Sequence, residues 1–285
     1  MDQPDRTGPG SYYDEYGERE WERLDRDFFH RLEWEGTIEQ LETHLPPATE
    51  SDAPHVLDVG GGAGRYSIWL ARQGYAVTLA EPSETQRAIA REKIRDHDVA
   101  DAVTIVDGDV RDLAFDDATV DATCCLGGPL SHVLDAADRR RAARELERVT
   151  VPDGPVFVSV MGLLGIVLIA VQYAGRGEEA LDPSLLPALV REQDHTAELA
   201  RRHGVEPALF DCHFFRRAEL EDLLSTAGLT VETIAALEGV AATRRSHFDD
   251  LTAADRDAIR EVNDLLRTDR SIADLSPRML AICRA

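Results

Sequence analysis

The sequence predicts an α/β protein: a doubly wound, seven-stranded, mostly parallel sheet with helical lid segments over its strand ends. Three observations predict it. Short apolar runs alternate with amphipathic stretches of about 10–15 residues, the rhythm of a parallel sheet covered on both faces. The first run, "HVLDV" from His55, opens directly onto the glycine-rich "GGGAG". The 285 residues, 43% of them hydrophobic, suffice to bury one sizeable core.

Each element has its own warrant. Residues 1–50 are read as an N-terminal lid segment, because from Tyr12 to His44 apolar and aromatic residues recur at helical spacing among charges. The proline-rich "LPPATESDAP" then separates it from a core assigned to residues 51–162. There "HVLDVG", "AVTLAE", "AVTIVDGD", "VDATCCLGG" and "GPVFVSVMG" read as strands. The intervening helices are capped by Ser83 and Asp135, and Gly74 ends the first of them. After Gly162 the rhythm stops, so residues 163–212 are read as a helical insertion without strands, capping the substrate. Residues 213–285 resume with two helices and the strands "LTVETIAALEG" and "PRMLAICRA", completing the sheet. The apolar run "VFVSVMGLLGIVLIAVQY" approaches the length of a membrane span. Gly162 and Gly165 interrupt it, and a buried strand running into a buried helix is expected instead, with no membrane partner.

Composition narrows the function classes. Acids outnumber bases by 54 to 31, a formal net charge of -23, and Lys93 is the sole lysine. Acid excess with arginine in place of lysine points to a salt-adapted, halophilic protein, whose self-repulsion concentrated salt screens. The same charge makes a nucleic-acid partner unlikely. Cys124, Cys125, Cys212 and Cys283 lack metal-ligand spacing, so neither a metal site nor a disulfide framework is expected and a reducing cytoplasm fits. The first residues, "MDQPDRTGPG", carry no apolar core, and a secretory leader is not expected.

The glycine run carries the function. Ligands of a parallel sheet bind beyond the C-terminal strand ends, where the strand order reverses. There glycines let main chain approach a ligand, and the following helix presents unpaired N–H groups. A plain tight turn would also use glycine, so spacing decides. No frame fits the dinucleotide pattern G-x-G-x-x-G: counting from Gly60, Gly61 or Gly62, a required glycine is Arg65, Ala63 or Ser67. What fits is D-x-G-x-G-x-G, with Asp58, Gly60, Gly62 and Gly64.

On these residues the chain resembles the class I S-adenosylmethionine-dependent methyltransferases, in particular their small-molecule branch, closely over residues 56–161 and loosely in the C-terminal strands. The resemblance implies a Rossmann-like core with S-adenosyl-L-methionine as cofactor. The Gly60, Gly61, Gly62 and Gly64 loop would lie against it, and Asp58 would hold the loop or sit near the methionine ammonium. It implies that Glu81, followed by Pro82, accepts from the two ribose hydroxyls and that Asp109 accepts from the adenine amino group, with Val110 beside the ring. Carboxylates suit both tasks because they only accept. Leu126 and Gly127, in "CLGGPLSHV", would lie beside the methionine part. The fourth strand lacks the Asn-Pro-Pro-Tyr-like segment of enzymes that methylate exocyclic amines of bases or glutamine, which argues against those acceptors.

The acceptor pocket is expected between the lid and the insertion. His132 follows the fourth strand and is the candidate catalytic base, its ordinary pKa lying near neutrality; satisfying a helix start is its structural alternative. Tyr12, Tyr13 and Tyr16, with Trp21, are candidates to close over the sulfonium by cation–π contact, and Arg31 and His213 to bind substrate. The expected activity is in-line methyl transfer to a small molecule. Methyl transfer to RNA or protein, a nicotinamide-dependent oxidoreductase, and a binding module without turnover are the alternatives.

Overall fold

The strands buried most continuously lie at the centre of the sheet: all four residues of β4 (Ala122–Cys125) and all seven of β5 (Pro155–Met161) are buried. The computed structural model describes residues 17–49, 51–174, 181–207, 210–244, 248 and 250–285. Strands β1 (His55–Val59), β2 (Ala76–Ala80) and β3 (Val103–Val106) continue the sheet on one side, and β8 (Thr230–Ala236) and β9 (Arg278–Arg284) on the other. The order is β3-β2-β1-β4-β5-β9-β8, with seven strands as expected. Only β9 runs antiparallel, pairing Pro155↔Arg284 through Met161↔Arg278 on one edge and β8 on the other.

Chain order reverses direction between β1 and β4, and the crevice opens at their C-terminal ends. Helices α1 (Arg19–Glu22) and α2 (Phe28–His44) make up the N-terminal segment, separated by a short 3-10 turn. Helix α3 (Arg65–Arg72) follows the glycine loop. Helix α4 (Glu84–Asp96) starts where the Ser83 hydroxyl accepts from the Gln86 N–H, and α5 (Ala136–Val149) where Asp135 accepts from Ala137 and Asp138. Such caps satisfy otherwise orphaned N–H groups.

Apolar clusters cover both sheet faces. Leu57, Val158, Ala142 and Leu146 belong to one, and Val56, Phe157, Leu70 and Leu41 to the other. The long apolar run resolves into β5 and α6 (Leu163–Tyr173), and among the described residues no helix is long and apolar enough to cross a membrane. Gly162 and Gly165 are needed because a Cβ at either would strike Ser276 or Pro277.

The insertion holds α7 (Leu186–Glu192) and α8 (Ala197–Arg202), and one expectation is corrected: it also holds a strand. β6 (Asp194–His195) pairs antiparallel with β7 (Cys212–His213). Two residues per strand leave no period for the sequence to display. Of the remaining helices, α9 (Arg217–Thr226) and α11 (Arg270–Ala273) pack against β8, and α10 (Ala253–Leu266) against the 3-10 turn Gly239–Arg244.

Candidate cofactor and active site

A cavity of about 530 Å³ opens over the β1 and β4 ends, bounded by the glycine loop, the lid and the segments after β2, β3 and β4. The loop glycines divide into two kinds. A Cβ on Gly61 would lie 2.7 Å from the Asp58 carboxylate and 2.9 Å from Leu79, and one on Gly60 would lie 2.5 Å from the Pro129 ring. Those two positions are bare to admit the protein itself. Gly62, at φ +53°, meets only the Glu20 Cγ at 3.6 Å and borders open space. Gly64, at φ +85°, begins α3.

Asp58 is fully buried and accepts from the Ser67 hydroxyl at 2.6 Å. Burial lifts its pKa to about 6. It organises the loop from below and does not line the cavity, so placing it beside a methionine ammonium is corrected. Glu81 does line it. One oxygen accepts from the Gly62 N–H at 3.1 Å, the other from the Ser83 N–H at 2.8 Å, and each keeps accepting capacity toward the cavity. Burial pushes Glu81 up to about 7, and nearby Asp58 adds to the effect. Pro82 follows it in the wall.

Asp109 and Val110 also line the cavity. Arg111 binds both Asp109 oxygens and holds its pKa below the usual carboxylate range, so Asp109 stays an ionised acceptor. Leu126 and Gly127, after β4, line it as well.

His132 reaches the cavity, its ring 4.7 Å from that of Phe210 on the cap. The near-neutral pKa expected for it is corrected: burial, aided by the charge of Arg278, lowers it to about 4. The imidazole is therefore neutral at physiological pH.

The lid contributes residues the sequence reading missed. Glu20 and Arg23 line the cavity and are joined at 3.2 Å. A Cβ on Gly127 would lie 3.7 Å from the Arg23 Nη2, which faces the wall by β4. Behind them Arg23 pairs at 2.6 Å with the buried Glu33. Arg65, first residue of α3, donates to the Trp21 carbonyl at 2.9 Å and pairs with Asp25, tying the lid to the glycine loop. Glu20 and Arg23 stood among the charges of the lid's amphipathic pattern; their three-residue spacing, across the end of α1 and the 3-10 turn that follows, was the available signal.

Other candidates lie elsewhere. Arg31 is half exposed, pairs with Asp25 at 3.3 Å and does not line the cavity. His213 is buried between Asp194 at 2.6 Å and Glu219 at 2.8 Å, where it joins the cap to α9 instead of meeting the cavity. Both are corrected as cavity residues: each finds carboxylate partners before it can reach a ligand. Trp21 packs beside Lys93 and Arg65. Tyr12, Tyr13 and Tyr16 lie outside the described residues. The four cysteines are buried and free, and the described residues hold no metal-binding cluster.

Residues 56–154 match the family model described as a methyltransferase domain. Those residues therefore carry a methyltransferase domain. S-adenosylmethionine is the cofactor that goes with this domain and fold. The chain is 31% identical over 138 residues to the methyltransferase GfsG of Streptomyces halstedii, covering 47% of this chain and 48% of that one. It is 31% identical over 106 residues to the ubiquinone/menaquinone biosynthesis C-methyltransferase UbiE of Idiomarina loihiensis, covering 36% and 41%. The match thus spans about half the length of these relatives or less. A solved S-adenosylmethionine-dependent methyltransferase of Methanosarcina mazei shares the fold, with a TM-score of 0.56 at 17% identity, covering 86% of this chain and 96% of that one.

Proposed function

We propose that the protein transfers a methyl group from S-adenosylmethionine to a small-molecule acceptor by in-line displacement. The observation that carries the reading is Glu81: a buried carboxylate, shared with the Gly62 N–H, facing a crevice at the switch point of the sheet. Two adjacent hydroxyls, such as those of a ribose, are the donors it lacks. The cradle fits the adenosyl group, with Glu81 toward the sugar and Asp109 and Val110 toward the base. Arg23 and Glu20, one of each sign above Gly127 and Gly62, suit the carboxylate and ammonium of the methionine end.

Bound S-adenosylmethionine supplies a methyl group on a positively charged sulfur, a good leaving group, so the chain's own contribution is position. Holding nucleophile and methyl in line can supply as much as ~7–11 kcal/mol of the barrier. The lid, anchored by Arg65, and the cap, which brings Phe210 against His132, exclude water from that space. His132, neutral, orients the nucleophile by hydrogen bonding, and its low basicity suits an acceptor that surrenders its proton readily.

The roofed cavity and the likeness to the ubiquinone/menaquinone biosynthesis C-methyltransferase UbiE favour a small acceptor over RNA or protein. Calorimetric titration with S-adenosylhomocysteine and with nicotinamide dinucleotides tests the cofactor, binding of a nicotinamide alone refuting it. Labelled-methyl transfer into a metabolite extract tests turnover, and S-adenosylhomocysteine binding without any transfer would leave a binding module.

A further inference from the structure

Asp107, Asp109 and Asp112 stand in the turn after β3, and each is held by its own arginine. Arg87 reaches Asp107 with one nitrogen at 2.9 Å, and Arg141 reaches Asp112 with one at 3.2 Å. Neither of those acids lines the cavity. Asp109 does, and it is gripped differently. Arg111 meets it as a fork, Nε donating to Oδ1 at 2.9 Å and Nη2 to Oδ2 at 2.5 Å. The Arg111 main-chain N–H gives Oδ1 a second bond, also at 2.9 Å. A carboxylate has about four acceptor sites, so Arg111 fills three of them and leaves one, on Oδ2.

The fork is itself braced. Arg111 Nη1 lies 3.5 Å from Asp138 Oδ2 in the first turn of α5, and both of these residues line the cavity. The turn is also seated closely on β2, where a Cβ on Gly108 would lie 2.9 Å from that of Ala80. With side chains 45% and 39% exposed, the Arg111–Asp109 pair adds little to stability. What it does fix is direction, because a planar two-point contact stops the carboxylate from rotating where a single contact would not. Resting on the methyltransferase reading, in which Asp109 faces the base, we infer that Arg111 makes the site select adenine. It immobilises Asp109 with one acceptor site open, and a base with an exocyclic amino group supplies the donor for it. Hypoxanthine carries a carbonyl oxygen in place of that amino group and sets an acceptor against an acceptor. Arg111 is thus a positioning residue that acts through Asp109.

The test is calorimetry on the whole protein with S-adenosylhomocysteine and with S-inosylhomocysteine, its deaminated analogue. The wild type is expected to prefer the adenine ligand by about a hundredfold. In Arg111→Met the Asp109 carboxylate is free to turn, and the preference is expected to fall to about tenfold or less, mainly through weaker S-adenosylhomocysteine binding. Arg111→Lys keeps the charge without the fork and is expected to recover only part of the preference. Asp138→Asn removes only the brace and is expected to lower the preference by less than about threefold. The urea midpoint should hardly move in any of these variants, reporting that each is folded. A merely structural role for Arg111 would weaken both ligands alike and leave their ratio where it was. An unchanged ratio in Arg111→Met, a larger change in Asp138→Asn than in Arg111→Met, or a wild type that binds both ligands equally would each overturn the inference while leaving the methyltransferase reading intact. Binding of neither ligand by the wild-type protein would remove that reading and the inference with it.

Discussion

Replacing Glu81 by glutamine separates what this carboxylate costs the fold from what it contributes to binding. Its pKa lies at about 7 in the folded protein against an ordinary 4.5, raised by burial and then by Asp58. Between those values the folded state holds a proton that the unfolded chain has released, so stability falls as pH rises from about 4.5 to 7 and then levels off. At about 1.4 kcal/mol per pKa unit, the penalty above pH 7 is about 3 kcal/mol. Glutamine has nearly the same shape but no charge to bury. Glu81→Gln should therefore match the wild type near pH 5 and exceed it by about 2–3 kcal/mol at pH 8, measured by urea unfolding without ligand. Asp58 titrates in the same range in both proteins, and its contribution largely cancels in the difference. Binding should move the opposite way. At pH 8 the variant loses a charged acceptor for hydroxyl donors, weakening S-adenosylhomocysteine by about tenfold to a hundredfold. Wild-type affinity should fall as pH drops below about 7, where Glu81 takes up a proton, and the variant should lack that limb. Equal stability of the two proteins at both pH values, or unchanged affinity at pH 8, would refute the assignment of Glu81 as a buried, ionisable cofactor ligand.

The remaining predictions concern the loop, the lid and the cap. Gly61→Ala should destabilise the protein by about 1–3 kcal/mol, seen as a lower urea midpoint, because its Cβ meets Asp58 and Leu79. Gly62→Val should cost about 1–2 kcal/mol for the left-handed backbone yet remain soluble, while calorimetry shows loss of S-adenosylhomocysteine binding. Arg23→Met should weaken S-adenosylhomocysteine by about tenfold or more but leave 5′-methylthioadenosine, which lacks the amino-acid end, nearly unaffected; equal losses would place Arg23 elsewhere. Burial alone would lower the pKa of His213, but Asp194 and Glu219 outweigh it and raise the value. The stabilisation is thus complete below about 6.5 and is lost as pH rises through the folded value. Amide exchange across 194–213 should quicken over that rise by no more than about 1 kcal/mol, since both carboxylates are partly exposed, and His213→Gln should abolish the dependence.

Much of the architecture was legible because it is encoded locally. Alternating apolar runs, Ser83 and Asp135 at helix starts, and glycine spacing after "HVLDV" each act within a few residues, and the parallel sheet followed from them. Glu81 and Asp109 were legible as strand-end acids in the cavity wall, though not their states: Glu81 is lifted by burial and Asp109 held down by Arg111. His132 was legible as a position and not as a base, since its lowered pKa comes from packing and from an arginine 146 positions along the chain.

By itself the sequence determined the strand rhythm, the crevice at the glycine turn and the chemistry of the acids beside it. Only tertiary structure decided which charges face that crevice. Glu20 and Arg23 enter the wall, Arg31 turns outward, and His213 is claimed by Asp194 and Glu219. The physical reason is range: hydrogen bonding and backbone preference act between near neighbours along the chain. The energy of a buried charge depends instead on partners and water exclusion supplied by segments far apart in sequence, as Arg23, Glu33 and Arg278 are here.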